Sequence, residues 1–162
     1  MRLLQHKATI DDFKNAQNQG IYIGQKIPNN GNLVFDRGDK STFAKAIQEI
    51  KNNKKVSHWI WYVIPSPADA KASLTAQFFS LNQKKVSEYL SDKILLKRYV
   101  KIIELISDKL RIYKKKEALI EILGAVDYYK LVKSLKIFYP VLLEKAIELD
   151  KIKYLYDALF DL

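Results

Sequence analysis

From Asn82 to the C-terminus the apolar residues recur at helical spacing, and no other feature constrains the chain as much. In SDKILLKRYVKIIELISDKLRIY, residues Ile94, Leu95, Tyr99, Ile102, Ile103, Ile106 and Leu110 make one wide apolar face, with charged residues filling most of the other positions. A helix of 3.6 residues per turn gathers these residues on one side, whereas a strand would scatter them over both. The longest helix is predicted here. Similar spacing marks NQKKVSEYL before it, and EALIEIL, DYYKLVKSLKIFY, PVLLEKAIELD and KIKYLYDALFDL after it. Gly124 ends the first of these later pieces. Asp127 is placed to start the next and Pro140 to stop it, because proline lacks the N–H that a helix interior uses.

The N-terminal half is more varied. TIDDFKNAQNQ opens with a capping Thr9 and two acids in a first turn, so a short helix ending at Gly20 is predicted. Ser41 can cap STFAKAIQEIKNN, in which Phe43, Ile47 and Ile50 form the apolar face around Lys45 and Glu49, both expected to be exposed. Between these helices, apolar residues of IYIGQKIPNNGNLVFDRG alternate on either side of Asn29-Asn30-Gly31, a turn sequence favouring positive φ. A β-hairpin, or an exposed excursion, is expected there. PSPADAKAS, with two prolines and small residues, reads as a loop. The expected fold is mostly α, one domain over residues 1–162 with a small hairpin inserted at 20–40.

A chain of 162 residues buries roughly two thirds of its unfolded surface, so no metal or disulfide staple is required. With no cysteine, disulfides, zinc ribbons and thiol catalysis are excluded, and only His6 and His58 supply imidazoles. No metal is expected, since the H-E-x-x-H spacing is absent; the P-loop, dinucleotide and G-x-S-x-G patterns are absent too. The N-terminus lacks a secretory pattern and no run approaches the roughly 18 apolar residues of a membrane span. A cytoplasmic protein without membrane insertion is expected.

Two readings of VSHWIWYVIP stay open. Its bulky, strand-prone residues alternate imperfectly, which implies a fully buried segment whose tryptophans fill core. Yet His58 beside two indoles also places a titratable donor and acceptor next to faces that can stack on a planar ligand. Elsewhere, residues 51–116 hold fifteen Lys or Arg against five Asp or Glu, and therefore all of the chain's net charge of +10. Such a balance attracts polyanions without specifying one.

AKAIQEIKNNKKVSHWIWYVIP combines an amphipathic helix, a basic turn and S-H-W-x-W, and in this it resembles the domain-of-unknown-function 1810 family of bacterial proteins, sometimes mislabelled calpastatin. DDFKNAQ resembles that family's F-x-x-A-Q element, and SLTAQFFSLNQKKVSEYLSDKILLKRY its central segment. GAVDYYKLVKSLKIF resembles a further motif through Gly124, Asp127, Lys130, Ser134, Leu135 and Phe138. The resemblance implies a compact, single-domain multihelical bundle, and carries no established activity. Two departures stand out. Ser66 follows Pro65 where the family usually has glutamine, and most of IYIGQKIPNNGNLVFDRGDK stands where the family connection is shorter.

The segments that carry the resemblance also hold the chemistry of a candidate pocket. Gln17, Trp59, Trp61, Lys130 and Ser134 are the expected ligand-binding residues, offering stacking faces, an anion-seeking amine and neutral hydrogen-bond groups that suit a nucleotide- or nucleoside-like molecule. If the pocket is catalytic, His58 or Asp127 would serve as general acid or base in hydrolysis of an N-glycosidic or phosphate-linked substrate. Structural roles compete: Asp127 as a helix cap, Lys130 as an exposed first-turn residue, Gln17 closing a helix, Ser134 facing the core. One alternative is a module binding nucleic acid or an acidic protein through Lys84, Lys85, Lys97, Arg98, Lys114, Lys115 and Lys116. Another is a protein-interaction module built on the inserted hairpin.

Overall fold

The computed structural model describes residues 7–21, 33–35, 40–145 and 148–160. Among these the chain forms nine helices: α1 (Ile10–Gln19), α2 (Phe43–Lys51), α3 (Ile60–Val63), α4 (Leu74–Phe78), α5 (Gln83–Ser91), α6 (Lys93–Tyr113), α7 (Lys116–Leu123), α8 (Ala125–Glu144) and α9 (Asp150–Phe160). Local chemistry sets most of the starts. Thr9 and Asp12 form a reciprocal capping box on α1, and Ser73, Asn82 and Asp92 cap α4, α5 and α6 through their side chains. On α2 the capping hydroxyl is that of Thr42, which accepts from the Lys45 amide at 3.1 Å, not that of the expected Ser41. Ser41 instead offers its carbonyl to the Tyr62 hydroxyl at 2.6 Å.

The β-hairpin expected at 20–40 is corrected to all-α architecture among the described residues. Ile21 and Phe35 meet in an isolated antiparallel bridge, and no strand is found among the described residues; residues 22–32 and 36–39, with the expected Asn29-Asn30-Gly31 turn, lie outside them. Ile21 is buried against the helices, so the apolar alternation there serves core packing at that residue. A two-residue bridge without further strands has little independent stability.

α8 departs from expectation at both ends. It begins at Ala125, immediately after Gly124, whose φ of 85° lies where glycine is favoured and turns the chain sharply out of α7. Asp127 thus sits in the first turn and is not the cap. Pro140 does not stop the helix, which continues to Glu144 and absorbs the start of the expected next piece. Pro140 and Lys136 are exposed, so water can reach the carbonyl that proline leaves unpaired, while Phe138, Tyr139, Val141 and Leu142 stay buried around it. Packing overrides the local signal.

α6 is the central element, packed against α2, α5, α7 and α9, with its predicted apolar face inward except for Ile94, which is half exposed. Aromatic rings link the helices beyond it. Tyr99 of α6 stacks on Phe138 of α8 at 4.1 Å, Tyr89 of α5 meets Phe138 edge-on, and Phe13 of α1 meets Tyr89 at 5.3 Å. Phe79 extends the chain of rings from Phe13 to Tyr62 in α3. These contacts hold α3 against the core. No helix among the described residues is long and apolar enough to cross a membrane.

Asp92 ties α6 to α1, because its carboxylate accepts from the Ile94 and Leu95 amides and pairs with Lys14 at 2.7 Å. Burial pushes its pKa up, but the Lys14 hydrogen bond and the two amides pull it further down, leaving it below the ordinary aspartate value. Asp92→Ala should therefore destabilise by about 1–2 kcal/mol at neutral pH, read as a lower urea midpoint at unchanged slope. Since the folded pKa is depressed, this contribution is full above the unfolded-state pKa and disappears as pH falls through the folded one. The gap between wild type and variant should close over that acidic window.

Candidate functional site

Glu49 of α2 was expected to face solvent, yet it is buried and organises the segment that follows. One carboxylate oxygen accepts from the Val56 amide at 2.9 Å, the Ser57 amide at 3.0 Å and the Trp59 indole N–H at 2.9 Å. The other accepts from the Ser57 hydroxyl at 2.7 Å. Burial alone would raise the carboxyl pKa; these four donors outweigh it and hold the group below its ordinary value. Ser57 and Trp59 of the S-H-W-x-W motif are thereby explained as parts of one hydrogen-bonded brace.

Lys55 extends the brace to α8. Its ammonium donates to the Ser57 carbonyl at 2.6 Å, pairs with Asp127 at 2.7 Å and lies 4.9 Å over the Trp59 ring. The Lys55 amide also donates to the Ile122 carbonyl of α7 at 2.8 Å. Asp127 is therefore an ion-pair partner, which fixes the first turn of α8 beside the motif.

The expected strand-like, fully buried run is a single helical turn, α3. Trp59, Ile60, Tyr62, Val63 and Ile64 are buried, but Trp61 is only partly so and His58 is exposed. A helical turn spreads neighbouring side chains around its axis, about 100° per residue, so a short apolar run can keep one residue at the surface. The His58 ring lies 6.2 Å from that of Trp61 with 21° between their planes. The Lys130 ammonium lies 5.6 Å from the Trp61 centroid.

The Trp61 indole nitrogen is buried with no hydrogen-bond partner among the described residues. Burial lowers the Lys130 pKa; Asp127 opposes the shift, and Lys55 and Lys133 reinforce it. Trp61, Lys130 and Lys133 line a recess of about 60 Å³ together with Ser66, Pro67 and small residues of the following loop and of α4. Ser80 holds this loop through the Ala68 amide and carbonyl, and the Gln77 amide donates to the carbonyls of Ala70 and Ala72. Beyond Pro67 and Ala68 lies a wider depression of about 500 Å³, edged by Lys7 and Lys85.

His58, Trp61, Asp127 and Lys130 thus surround one surface region. Gln17, Trp59 and Ser134 are fully buried and do not line the recess. Gln17 donates to the Tyr62 carbonyl and Tyr89 hydroxyl and accepts from Arg98; Ser134 shares a 2.9 Å hydrogen bond with Tyr99. Lys84 and Lys85 lie on α5, Lys97 and Arg98 on α6, and Lys114, Lys115 and Lys116 at the α6–α7 turn, none of them on the recess. Arg98 is also bonded to Asn18 and lies over Phe43. Sequence reasoning missed Glu49, Lys55 and Lys133. Glu49 carried a signal, for it follows buried Ala46 by three positions and stands between Ile47 and Ile50.

A fold that is all-helical among the described residues, with this braced aromatic motif, defines a class of small helical protein before it defines an activity. The chain belongs to the family described as Protein of unknown function (DUF1810), whose pattern matches residues 32–161. The DDFKNAQ element lies before that match. The fold is similar to that of a conserved hypothetical protein, Rv1873 from Mycobacterium tuberculosis, known from a crystal structure: 22% identity over 61% of this chain and 68% of that one, with a TM-score of 0.54. At that identity the likeness concerns the fold alone. No curated protein matches the chain.

Glu49→Ala should strand the Trp59 N–H and the Val56 and Ser57 donors in a buried setting, costing roughly 3 kcal/mol. Glu49→Gln keeps an acceptor and should cost about half as much. Urea unfolding measures both, and equal losses would show that the acceptor is not what matters. Because the Glu49 pKa is depressed in the folded state, its stabilisation is present above the unfolded-state pKa and is lost as pH falls through the folded one.

Proposed function

We propose that the protein binds a nucleotide- or nucleoside-like small ligand on the surface formed by His58, Trp61 and Lys130. The observation that supports this reading most is the pairing of a partly desolvated ammonium with an indole whose N–H has no acceptor, beside a recess. A buried donor without an acceptor costs roughly 1–3 kcal/mol, so an acceptor-rich anionic group would be favoured there. The Trp61 and His58 rings add flat faces for a base.

Size narrows the pose. Ligand pockets for whole small molecules usually span about 300–1,000 Å³, against about 60 Å³ here. A recess of that volume accepts a group the size of one oxyanion, while sugar and base would lie across the open rings. The Trp61 N–H is closed to solvent, so a shift of the overlying side chains would accompany its use. Asp127 is held in its ion pair with Lys55, and the reading is accordingly one of binding, with hydrolysis not required by it.

Adenosine and adenosine monophosphate, titrated separately and followed by thermal unfolding, provide the test. A ligand at about a hundred times its Kd stabilises by about 2.7 kcal/mol, which should raise Tm by several degrees, more for the monophosphate. Trp61→Ala should abolish the rise; Lys130→Met, which keeps the aliphatic stem, should remove the advantage of the phosphate. The Lys130 pKa is lowered, so anion affinity should be full below that folded pKa and fall as pH rises through it. No rise in Tm with any nucleoside or nucleotide at saturating concentration would overturn the reading.

A further inference from the structure

Next to the recess, the first half of α8 exposes more apolar and aromatic surface than its amphipathic pattern requires. Val126 is 70% exposed and Tyr129 65%, and across the Lys55–Asp127 pair Val56 is 69% exposed. Lys133 connects this patch to the recess: it lines the recess, and its ammonium lies 5.8 Å from the Tyr129 ring centroid. Lys130 stands in the same relation to Trp61. Trp61 is thus a wall of the small cationic hollow, and Tyr129 is joined to it through Lys133.

Two ring–lysine pairs, Trp61 with Lys130 and Tyr129 with Lys133, therefore meet at the recess through their lysines. A mononucleotide would use one ring and the hollow, and would leave Tyr129 and Lys133 without a role. A phosphodiester joining two nucleosides would use all of them. Its phosphate would sit against Lys130 and Lys133, one base on the Trp61 and His58 faces, and the other on Tyr129. Stacking of successive bases on exposed rings, with lysines along the backbone, is the general way in which single strands are held without sequence readout. A duplex buries its base faces and cannot supply them. Building on the nucleotide reading, we infer that the natural ligand is a single-stranded oligonucleotide or a dinucleotide, bound by its phosphodiester at the Lys130–Lys133 recess with its flanking bases on Trp61 and Tyr129.

The chain's two indole N–H groups make the test selective, because that of Trp59 is bonded to Glu49 and that of Trp61 is not. In ¹H–¹⁵N spectra, adenosine monophosphate, the dinucleotide dApdA and the hexamer dA6 should each shift the Trp61 indole signal and leave that of Trp59 nearly in place. The dinucleotide should bind about tenfold more tightly than the monophosphate, the usual effect of one added stacked base. Tyr129→Ala should erase that advantage while leaving monophosphate affinity unchanged; Tyr129 is exposed, so the variant should fold. A triple alanine variant of Lys114, Lys115 and Lys116 should retain both affinities. Equal affinity for monophosphate and dinucleotide, or no effect of Tyr129→Ala on the dinucleotide, would overturn this inference and leave the nucleotide reading standing. The inference also fails if a dA6·dT6 duplex binds as well as dA6, or if only the lysine triple variant loses binding. A silent Trp61 signal with every probe would remove both.

Discussion

The buried carboxylate of Glu49 is the constraint on which the arrangement around Trp61 depends. A carboxylate so placed is costly unless donors surround it, and Val56, Ser57 and Trp59 supply four within ten residues. Closing them around one group bends the chain back on α2 and directs the Trp59 ring into the core. Trp61 is then carried to the outer side of the single turn α3. Lys55, held over Trp59 and against Asp127, transmits the same geometry to α8, where Lys130 and Lys133 follow within two turns. The exposed His58 and the half-buried Trp61 are consequences of where their neighbours are fixed.

Much of the fold was legible because its signals are local. The α6 run has a period that only a helix can bury, and Thr9 with Asp12 and Asp92 with its amides are caps readable within four residues. Where the reading failed, tertiary contacts decided. Ser41 and Thr42 are adjacent hydroxyls, and the Tyr62 hydroxyl settles their roles by engaging the Ser41 carbonyl. Pro140 breaks a helix in isolation but not one clamped by Phe138 and Leu142 on its inner face. The alternation around Asn29-Asn30-Gly31 suggested strands, and among the described residues it yields one bridge between Ile21 and Phe35.

The candidate site was legible in part, for a related reason. His58, Trp61, Asp127 and Lys130 were singled out for their side-chain chemistry within the segments that carry the family resemblance, and the fold brings those segments together. Gln17, Trp59 and Ser134 have the same chemical inventory, yet their polar atoms are taken up by Tyr62, Glu49 and Tyr99. Residue type alone cannot separate a donor that the core consumes from one that it leaves over. Lys133 carries no sequence signal at all; it matters through its position three residues after Lys130 on the same helix.

That distinction between consumed and left-over groups separates the frame from the site. Around Glu49 the donors of Val56, Ser57 and Trp59 share one carboxylate, which rigidifies the segment. Around Trp61 the balance is reversed: its buried indole N–H is unpaired, and a partly buried Lys130 and a second lysine, Lys133, line the adjoining recess. Fold stability gives no reason to leave the Trp61 N–H without an acceptor, since a buried unmade hydrogen bond raises the free energy of the native state. On the proposed reading, an anionic acceptor that reached this N–H would convert that deficit into binding energy. A braced frame beside a donor-rich surface is the combination that pre-organised binding requires.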